Sequence, residues 1–278
     1  MSSVSIVICV RNSAEVLEKC LMSVRSNSPQ EIIVVDGESN DGSNEIARQH
    51  ADIFLSDNGK GLAYARQLGI QAATGEYILN MGPDNILPPD FLAAIVELSE
   101  KNGYVGTGVQ TRIISYETIW DKWLDKWWQY MMGKPGQREV VGTPSLFKRE
   151  ILLREMFREQ AGMADDTDLC YRLRQQGCLL GLVPLKVYDA PGRSWNQIVC
   201  KFSVYGRSDA EFYHLWADTW SWKRKLKSWL HPMRHTWRGV SWAIRNQEYS
   251  SSIFFLLTGY LRYRAWWEWQ RRIQAEKG

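Results

Sequence analysis

Apolar residues in the first 85 positions fall into short unbroken runs separated by amphipathic stretches. Val4 to Val10, rich in β-branched residues, predicts a buried strand with Arg11-Asn12-Ser13 as the turn after it. Behind it Val16, Leu17, Leu21 and Val24 recur at helical spacing, Ser13 is suited to cap that helix, and Pro29 closes the unit. Glu31 to Asp36 predicts a second buried strand ending in an acid, followed by the turn Gly37 to Ser43 and a helix from Asn44 to His50. Ile53 to Leu55 predicts a short third strand, and Gly59-Lys60-Gly61 opens a helix over 62–74. The fourth run, Tyr77-Ile78-Leu79 with Met81 behind it, stops at Gly82-Pro83-Asp84-Asn85. Four strand-helix alternations are the pattern of an α/β protein with a doubly wound, mostly parallel, Rossmann-like sheet.

Pro88-Pro89-Asp90 then predicts the start of a helix with Phe91, Leu92, Ile95, Val96 and Leu98 on its apolar side, and Val105 to Ile114 predicts a strand. Trp120, Trp123, Leu124, Trp127, Trp128, Met131 and Met132 recur at helical spacing. Two readings of that segment stand at this point: a helix buried in the core, or an acceptor groove or membrane-facing lid. Gly142 to Phe147 returns to strand-like sequence, and Leu169 and Leu173 form the apolar side of a helix that opens near Asp165.

The chemistry sits where runs stop. A strand ending at Asp84 delivers a carboxylate to the edge of the sheet where open α/β proteins bind ligands. The alternative is a turn in which Asp84 bonds its own backbone. Asp165, Asp166 and Asp168 crowd the first turn of one helix. The helix dipole and an N-cap account for one such acid, not three. Adjacent carboxylates repel, which raises a pKa and suits one of them to general-base work.

Charge divides the chain. From Arg193 onward there are 15 Lys/Arg against 6 Asp/Glu, and 10 of the 14 Trp lie in that stretch. A neutral or acidic body with a basic, Trp-rich extension is expected, with bounds at 1–207 and 208–278. The five cysteines show no paired spacing and predict neither a disulfide framework nor a zinc site, so a reducing cytosol fits. The strand-like N-terminus lacks the basic region of a signal peptide, and no apolar run approaches the length of a membrane span.

These residues together resemble the inverting family 2 glycosyltransferases of bacterial type, which have the GT-A fold, and the resemblance covers about residues 4–207. Val4 to Asn12 is similar to the family's first strand and its Asn, and Val34 to Ser43 to its acidic nucleotide loop. Gly61 to Ala65, Arg66-Gln67-Leu68-Gly69-Ile70 and Ala72 to Tyr77 resemble its Gly, Ala-Arg-Asn and Ala-x-Gly-Glu-Tyr signature, with Gln67 for Asn. Gly142 to Arg149 resembles the segment before the acceptor loop, and Asp165 to Leu169 the Glu-Asp-x-Asp-Leu motif. The family's Asp-x-Asp is here Gly82-Pro83-Asp84, and Asp189 stands where many relatives carry a His.

The resemblance implies transfer of a sugar from a nucleotide sugar, a UDP-sugar first among candidates, to a hydroxyl acceptor. It places Val10, Asn12, Asp36, Asp41, Arg66 and Asp84 at the donor. It gives Asp84 and Asp189 to a divalent cation, Mg or Mn, which would neutralise the departing diphosphate. It makes Asp166, with Asp165, the catalytic pair; Asp168 and Arg207, together with Trp127 and Trp128 of the aromatic segment, are expected acceptor contacts.

Beyond residue 207, Trp216 to Arg238 alternates cationic and aromatic residues, and Phe254 to Trp269 with its flanking arginines repeats the pattern. Such a segment suits peripheral contact with the cytoplasmic face of a membrane, fitting a glycan or lipid-linked acceptor. Helices packed on the body with a solvated basic face are the alternative. Nucleic acid is not an expected partner, since no recognised module accompanies the basic residues. Two rival functions remain at this stage: a catalytically silent nucleotide-sugar-binding scaffold, and a membrane-surface adaptor.

Overall fold

A computed structural model of the protein describes residues 2–277. Its strands are β1 (Val4–Val10), β2 (Glu31–Asp36), β3 (Ile53–Ser56), β4 (Tyr77–Met81), β5 (Asn85–Ile86), β6 (Gly106–Ile113), β7 (Gly136–Gln137), β8 (Ser145–Lys148) and β9 (Leu180–Asp189). The helices are α1 (Ala14–Arg25), α2 (Ser43–His50), α3 (Leu62–Ala72), α4 (Phe91–Asn102), α5 (Ile119–Met132), α6 (Arg149–Glu155) and α7 (Asp165–Gln175). They are followed by α8 (Trp195–Trp216), α9 (Trp222–Trp229), α10 (His231–Arg245) and α11 (Tyr249–Lys277).

Among the described residues the strands form one sheet in the order β3-β2-β1-β4-β8-β6-β9-β5, with β7 paired to β9. The first four strands run parallel, as the strand-helix alternation predicts, and β8 enters antiparallel to β4 and β6. Both faces of the parallel part are covered, so its strands read as continuous apolar runs. Ile6, Ile8, Ile32, Val34 and Leu79 pack beneath α1 and α4, while Val7, Ile33, Val35 and Ile78 pack with residues of α3 and α7. Each fully buried Ile or Leu contributes roughly 1.5–3 kcal/mol relative to exposure. Helix α3 lies close on β1: a Cβ at Gly69 would fall 2.5 Å from Val7 Cγ1.

Ser13 does precede α1, but its hydroxyl bonds the Arg11 carbonyl instead of capping the helix. The orphan amide of Ala14 donates to Asp41 Oδ2 at 3.0 Å. A long β9 emerges where sequence periodicity is weak, because Gly181 and Pro184 interrupt its apolar run.

The chain divides into two compact units. One comprises residues 1–114, 132–159 and 165–190; the other comprises 115–131, 160–164 and 191–278. The bound expected at residue 207 falls inside α8. The second unit is helical and includes the aromatic helix α5, in which Leu124 and Trp127 are buried while Trp120, Trp123 and Trp128 are half-buried. Trp127 is buried, edge-on to Phe202 at 5.1 Å and stacked with Tyr205 at 5.7 Å. No helix among the described residues is long and apolar enough to cross a membrane.

A buried carboxylate clasps this second unit. Asp121 is fully buried, and its Oδ2 accepts the amides of Glu117, Thr118 and Gly192 while Oδ1 accepts that of Arg193, all within 3.0 Å. Burial pushes its pKa up, but the four amides outweigh burial and hold the carboxyl below its ordinary value. Replacing Asp121 by asparagine turns one acceptor oxygen into a donor facing amides, and is expected to cost about 1–3 kcal/mol. Chemical denaturation checks this. Because the folded pKa is depressed, the Asp121 contribution is complete above the ordinary carboxylate pKa and fades as pH falls below it.

Candidate active site

The carboxyl ends of the parallel strands form one edge, where Val10 stands beside Asp36 and Asp36 beside Ser56. Two loops at this edge are knitted together. The Asn12 amide donates to Ser39 Oγ at 2.9 Å, and Asn12 Oδ1 accepts the Asn40 amide at 3.0 Å. Asn12 holds a left-handed backbone at φ 49°, a conformation asparagine tolerates better than most side chains. Asp41 accepts the Ala14 amide and, through its other oxygen, the Ser43 hydroxyl and amide. The Ala14 bond leads the causes that hold its carboxyl below the usual range. Asn12 and Asp41 therefore shape the loop. Val10 is a buried strand residue whose carbonyl accepts the Gly37 amide at 2.8 Å, so it supports that loop through its backbone.

Asp36 differs from these. It is 5% exposed, Oδ2 accepts the Ser39 amide at 3.1 Å, and Oδ1 has no partner among the described residues. A buried carboxylate oxygen without a donor is costly, and this one is free to accept an N–H or O–H. Asp57, which the sequence reading passed over, closes the next loop. Its two oxygens accept the Gly59 amide at 2.8 Å and the Gly61 amide at 3.1 Å. The run Asp57-Asn58-Gly59 is the signal that marks it, an acid folding a glycine turn onto itself.

The acid pair opens α7. Asp165 is 1% exposed, and Arg66 Nη1 donates to its Oδ2 at 2.7 Å while Nη2 donates to Thr143 Oγ1 at 2.8 Å. The resemblance assigns Arg66 to ribose and base; here its guanidinium is instead the strut of Asp165, because a buried cation needs a buried acceptor. Thr143 carries no signal in the sequence, since its role exists only where the bend before β8 meets α3. Burial lifts the Asp165 carboxyl to about 6, with Arg66 pulling it down and Asp166 adding to the rise.

Asp166 is only partly buried. Its amide donates to Asp165 Oδ1 at 2.8 Å, which fixes its backbone, and its Oδ1 accepts the Thr167 hydroxyl at 3.2 Å. Oδ2 lies over Gly142, where a Cβ would come within 3.2 Å. Gln67 receives the Phe157 amide on Oε1 at 3.1 Å and so ties α3 to the segment before α7. Asp168, expected among acceptor contacts, is fully buried and accepts Arg172 Nε at 2.9 Å. That guanidinium also grips the Met156 carbonyl, so Asp168 is an anchor for the turn after α6 and is not presented to an acceptor.

Asp84 lies partly exposed beyond β4. An acid at position 82, where the resemblance would put one, would need its neighbours to shift: a Cβ would stand 2.8 Å from Asp84 Oδ1 and 3.2 Å from Asn85 Oδ1, both side-chain ends. Asn85 Oδ1 accepts the Gly82 amide at 2.9 Å and its Nδ2 donates to Asp189 Oδ1 at 2.7 Å. Pairing of β5 with β9 sets Asn85 opposite Asp189, so Asp84 and Asp189 approach through the backbone. No cluster of three His, Cys, Asp or Glu able to hold a metal exists among the described residues. The donor set fits a cation only as a shared ligand. Asp84 supplies a hard carboxylate oxygen, and Asp189, buried with one oxygen engaged by Asn85, fits less well.

Trp127, Trp128 and Arg207 belong to the second unit. Lys201 lies over the Trp128 ring at 5.0 Å, and Arg207 bonds Glu211 at 2.6 Å and covers Trp269 at 4.0 Å. Trp127 is closed in by its aromatic neighbours and offers no face to an acceptor.

Residues 5–152 match the family model described as Glycosyl transferase family 2. The glycosyltransferase AglE of Haloferax volcanii is 29% identical over 226 residues, 76% of this chain and 74% of that protein. Two further curated relatives match at 32% identity, but the chain spans only 28% of the length of each. Among solved structures, the mannosyltransferase PcManGT from Pyrobaculum calidifontis, in complex with GDP-Man and Mn2+, aligns with a TM-score of 0.63 at 17% identity. That alignment covers 97% of this chain and 84% of PcManGT. S. aureus TarS 1-349 in complex with UDP-GlcNAc aligns with a TM-score of 0.54 at 13% identity, over 76% of this chain and 66% of that one. At such identities the two structures speak for the fold.

Proposed function

The chain belongs to glycosyl transferase family 2, and from that premise we propose an inverting enzyme that moves a sugar from a uridine diphosphate sugar to a hydroxyl acceptor. The glycan under assembly is lipid-linked or destined for the cell surface, and the basic helices hold the enzyme peripherally at the cytoplasmic face of a membrane. The observation that carries the donor reading is Asp36 Oδ1, a buried acceptor without a donor at the carboxyl edge of parallel strands. Since Oδ2 is already taken by Ser39, one oxygen is open, which suits the single ring N–H of uracil better than the paired donors of guanine.

Asp166 accepts the proton of the acceptor hydroxyl as that oxygen bonds to the anomeric carbon. The bond from that carbon to the diphosphate oxygen breaks in the same displacement, with inversion. Asp165 and Arg66 hold the base in place and do not exchange the proton. A divalent cation, when bound, would neutralise charge on the departing diphosphate, and Asp84 is the residue that would share it with the phosphate oxygens.

Calorimetric titration with uridine, guanosine and thymidine diphosphate sugars, with Mn2+ or Mg2+ and with chelator, tests this. A uridine donor is expected to bind, Asp36→Ala to weaken it about 10- to 100-fold, and Asp84→Ala to remove its dependence on the cation. Failure of every donor to bind would overturn the reading. Gly82, where an acid is expected, favours one alternative, a silent sugar-nucleotide scaffold. Donor binding without any donor hydrolysis or transfer would select it.

A further inference from the structure

Helices α9 and α10 hold seven Lys/Arg and no Asp or Glu, yet their apolar side chains face outward. In α9 the apolar residues Trp222, Leu226 and Trp229 share one side at i, i+4 and i+7, all three are exposed, and no residue of the helix is buried. An amphipathic helix normally buries that side. Met233, Trp237 and Ile244 make a second exposed stripe along α10. Tyr249, Ile253, Leu256, Tyr260 and Trp267 make a third along α11, between 46% and 65% exposed.

The stripes of α10 and α11 open to the same side. The seam between the two helices is set by close approaches: a Cβ at Gly239 would fall 2.2 Å from the Phe255 ring, and one at Gly259 would fall 2.0 Å from Thr236 Oγ1. Those pairings run antiparallel. At 3.6 residues per turn, each stripe follows the seam by roughly 100° in the sense of the chain's winding. Equal offsets on antiparallel helices lie on one side of the pair, so the hairpin presents a continuous apolar, aromatic face. Arg234, Arg238 and Arg245 border it on the α10 flank away from the seam, and Arg271 on the α11 flank, where Arg264 is paired with Glu268 at 2.7 Å.

We propose that the α10–α11 face, with the exposed side of α9 beside it in sequence, is the surface that docks on an anionic lipid bilayer. The inference rests on the peripheral attachment proposed above and says which side chains make it. Trp and Tyr on the face sit at headgroup depth, with their apolar bodies toward the acyl chains and their polar tips in water. The bordering cations meet the anionic headgroups. A second copy of the chain suits the face poorly, because a two-fold contact would bring like-charged borders together.

The test is co-sedimentation of the full chain with vesicles of phosphatidylcholine, with and without phosphatidylglycerol, together with quenching of Trp fluorescence by brominated lipid. Wild type is expected to bind the phosphatidylglycerol vesicles, to be quenched, and to be released by salt. The triple variant Trp237→Ser, Ile253→Ser, Leu256→Ser alters exposed positions only and is expected to bind about tenfold or more weakly. Vesicle binding equal to wild type in that variant would overturn the assignment of this face, as would equal binding to neutral vesicles. A concentration-dependent dimer, abolished by the same variant and accompanied by no vesicle binding, would give the face to a second copy. Donor titration of the variant separates this inference from the transferase reading, since the donor site lies in the other unit and donor affinity should be unchanged.

Discussion

Replacing Asp166 by asparagine is expected to lower the rate of sugar transfer by about 10²- to 10⁴-fold. Donor affinity and unfolding midpoint should stay near wild type. Asparagine keeps the volume and the bond from Thr167, and loses only the capacity to take the acceptor proton. Single-turnover transfer, measured beside donor titration, separates the chemical step from binding. Retained transfer in Asp166→Asn with loss in Asp165→Asn would reverse the roles assigned to the pair. Gly142 gives a milder check on the same geometry. A methyl group there, 3.2 Å from Asp166 Oδ2, crowds the oxygen on which the proton would arrive.

Arg66→Leu is expected to be the most destabilising of the substitutions proposed, by about 3–5 kcal/mol. It would leave the Asp165 carboxylate buried with its strongest partner gone, whereas the double change Arg66→Leu, Asp165→Leu should recover much of the loss. Urea denaturation of the four members of this cycle measures the coupling. A cost under about 1 kcal/mol for the single change, together with a loss of donor affinity, would return Arg66 to the donor contact that the family resemblance assigns it.

The same pair sets a pH limit. Burial lifts the Asp165 carboxyl to about 6, and the form that holds Arg66 is the ionised one. Transfer should therefore fall as pH drops through about 6, and Asp165→Asn should lack that acid limb.

Much of the catalytic body is legible in order along the chain. The strands of the parallel sheet read as apolar runs because both sheet faces are covered, and the helices read from spacing because each covers one face. The acids at strand ends are legible too, since a polar group closing a buried run must lie at an edge. Asp36 stands at such an edge, at the end of β2, for that reason. Arg66, Asp168 and Trp127 are buried where contacts with donor or acceptor were expected. Each is a bulky or charged group whose surroundings are set by segments distant in sequence, and in this fold each is enclosed.

Sequence alone determined that a sheet would form, which runs would be its buried strands, and which end would gather carboxylates. Those properties depend on unbroken apolar runs and on the 3.6-residue helical period, which are local. Only the tertiary structure decided what the carboxylates and rings do there. Arg66 finds Asp165 across 99 positions because a buried cation must have an acceptor, and packing of α3 against α7 fixes which one it meets. The same holds for the helical extension, whose apolar stripes look alike in sequence. The seam between α10 and α11 buries Phe255 and leaves Trp237 and Ile253 outside.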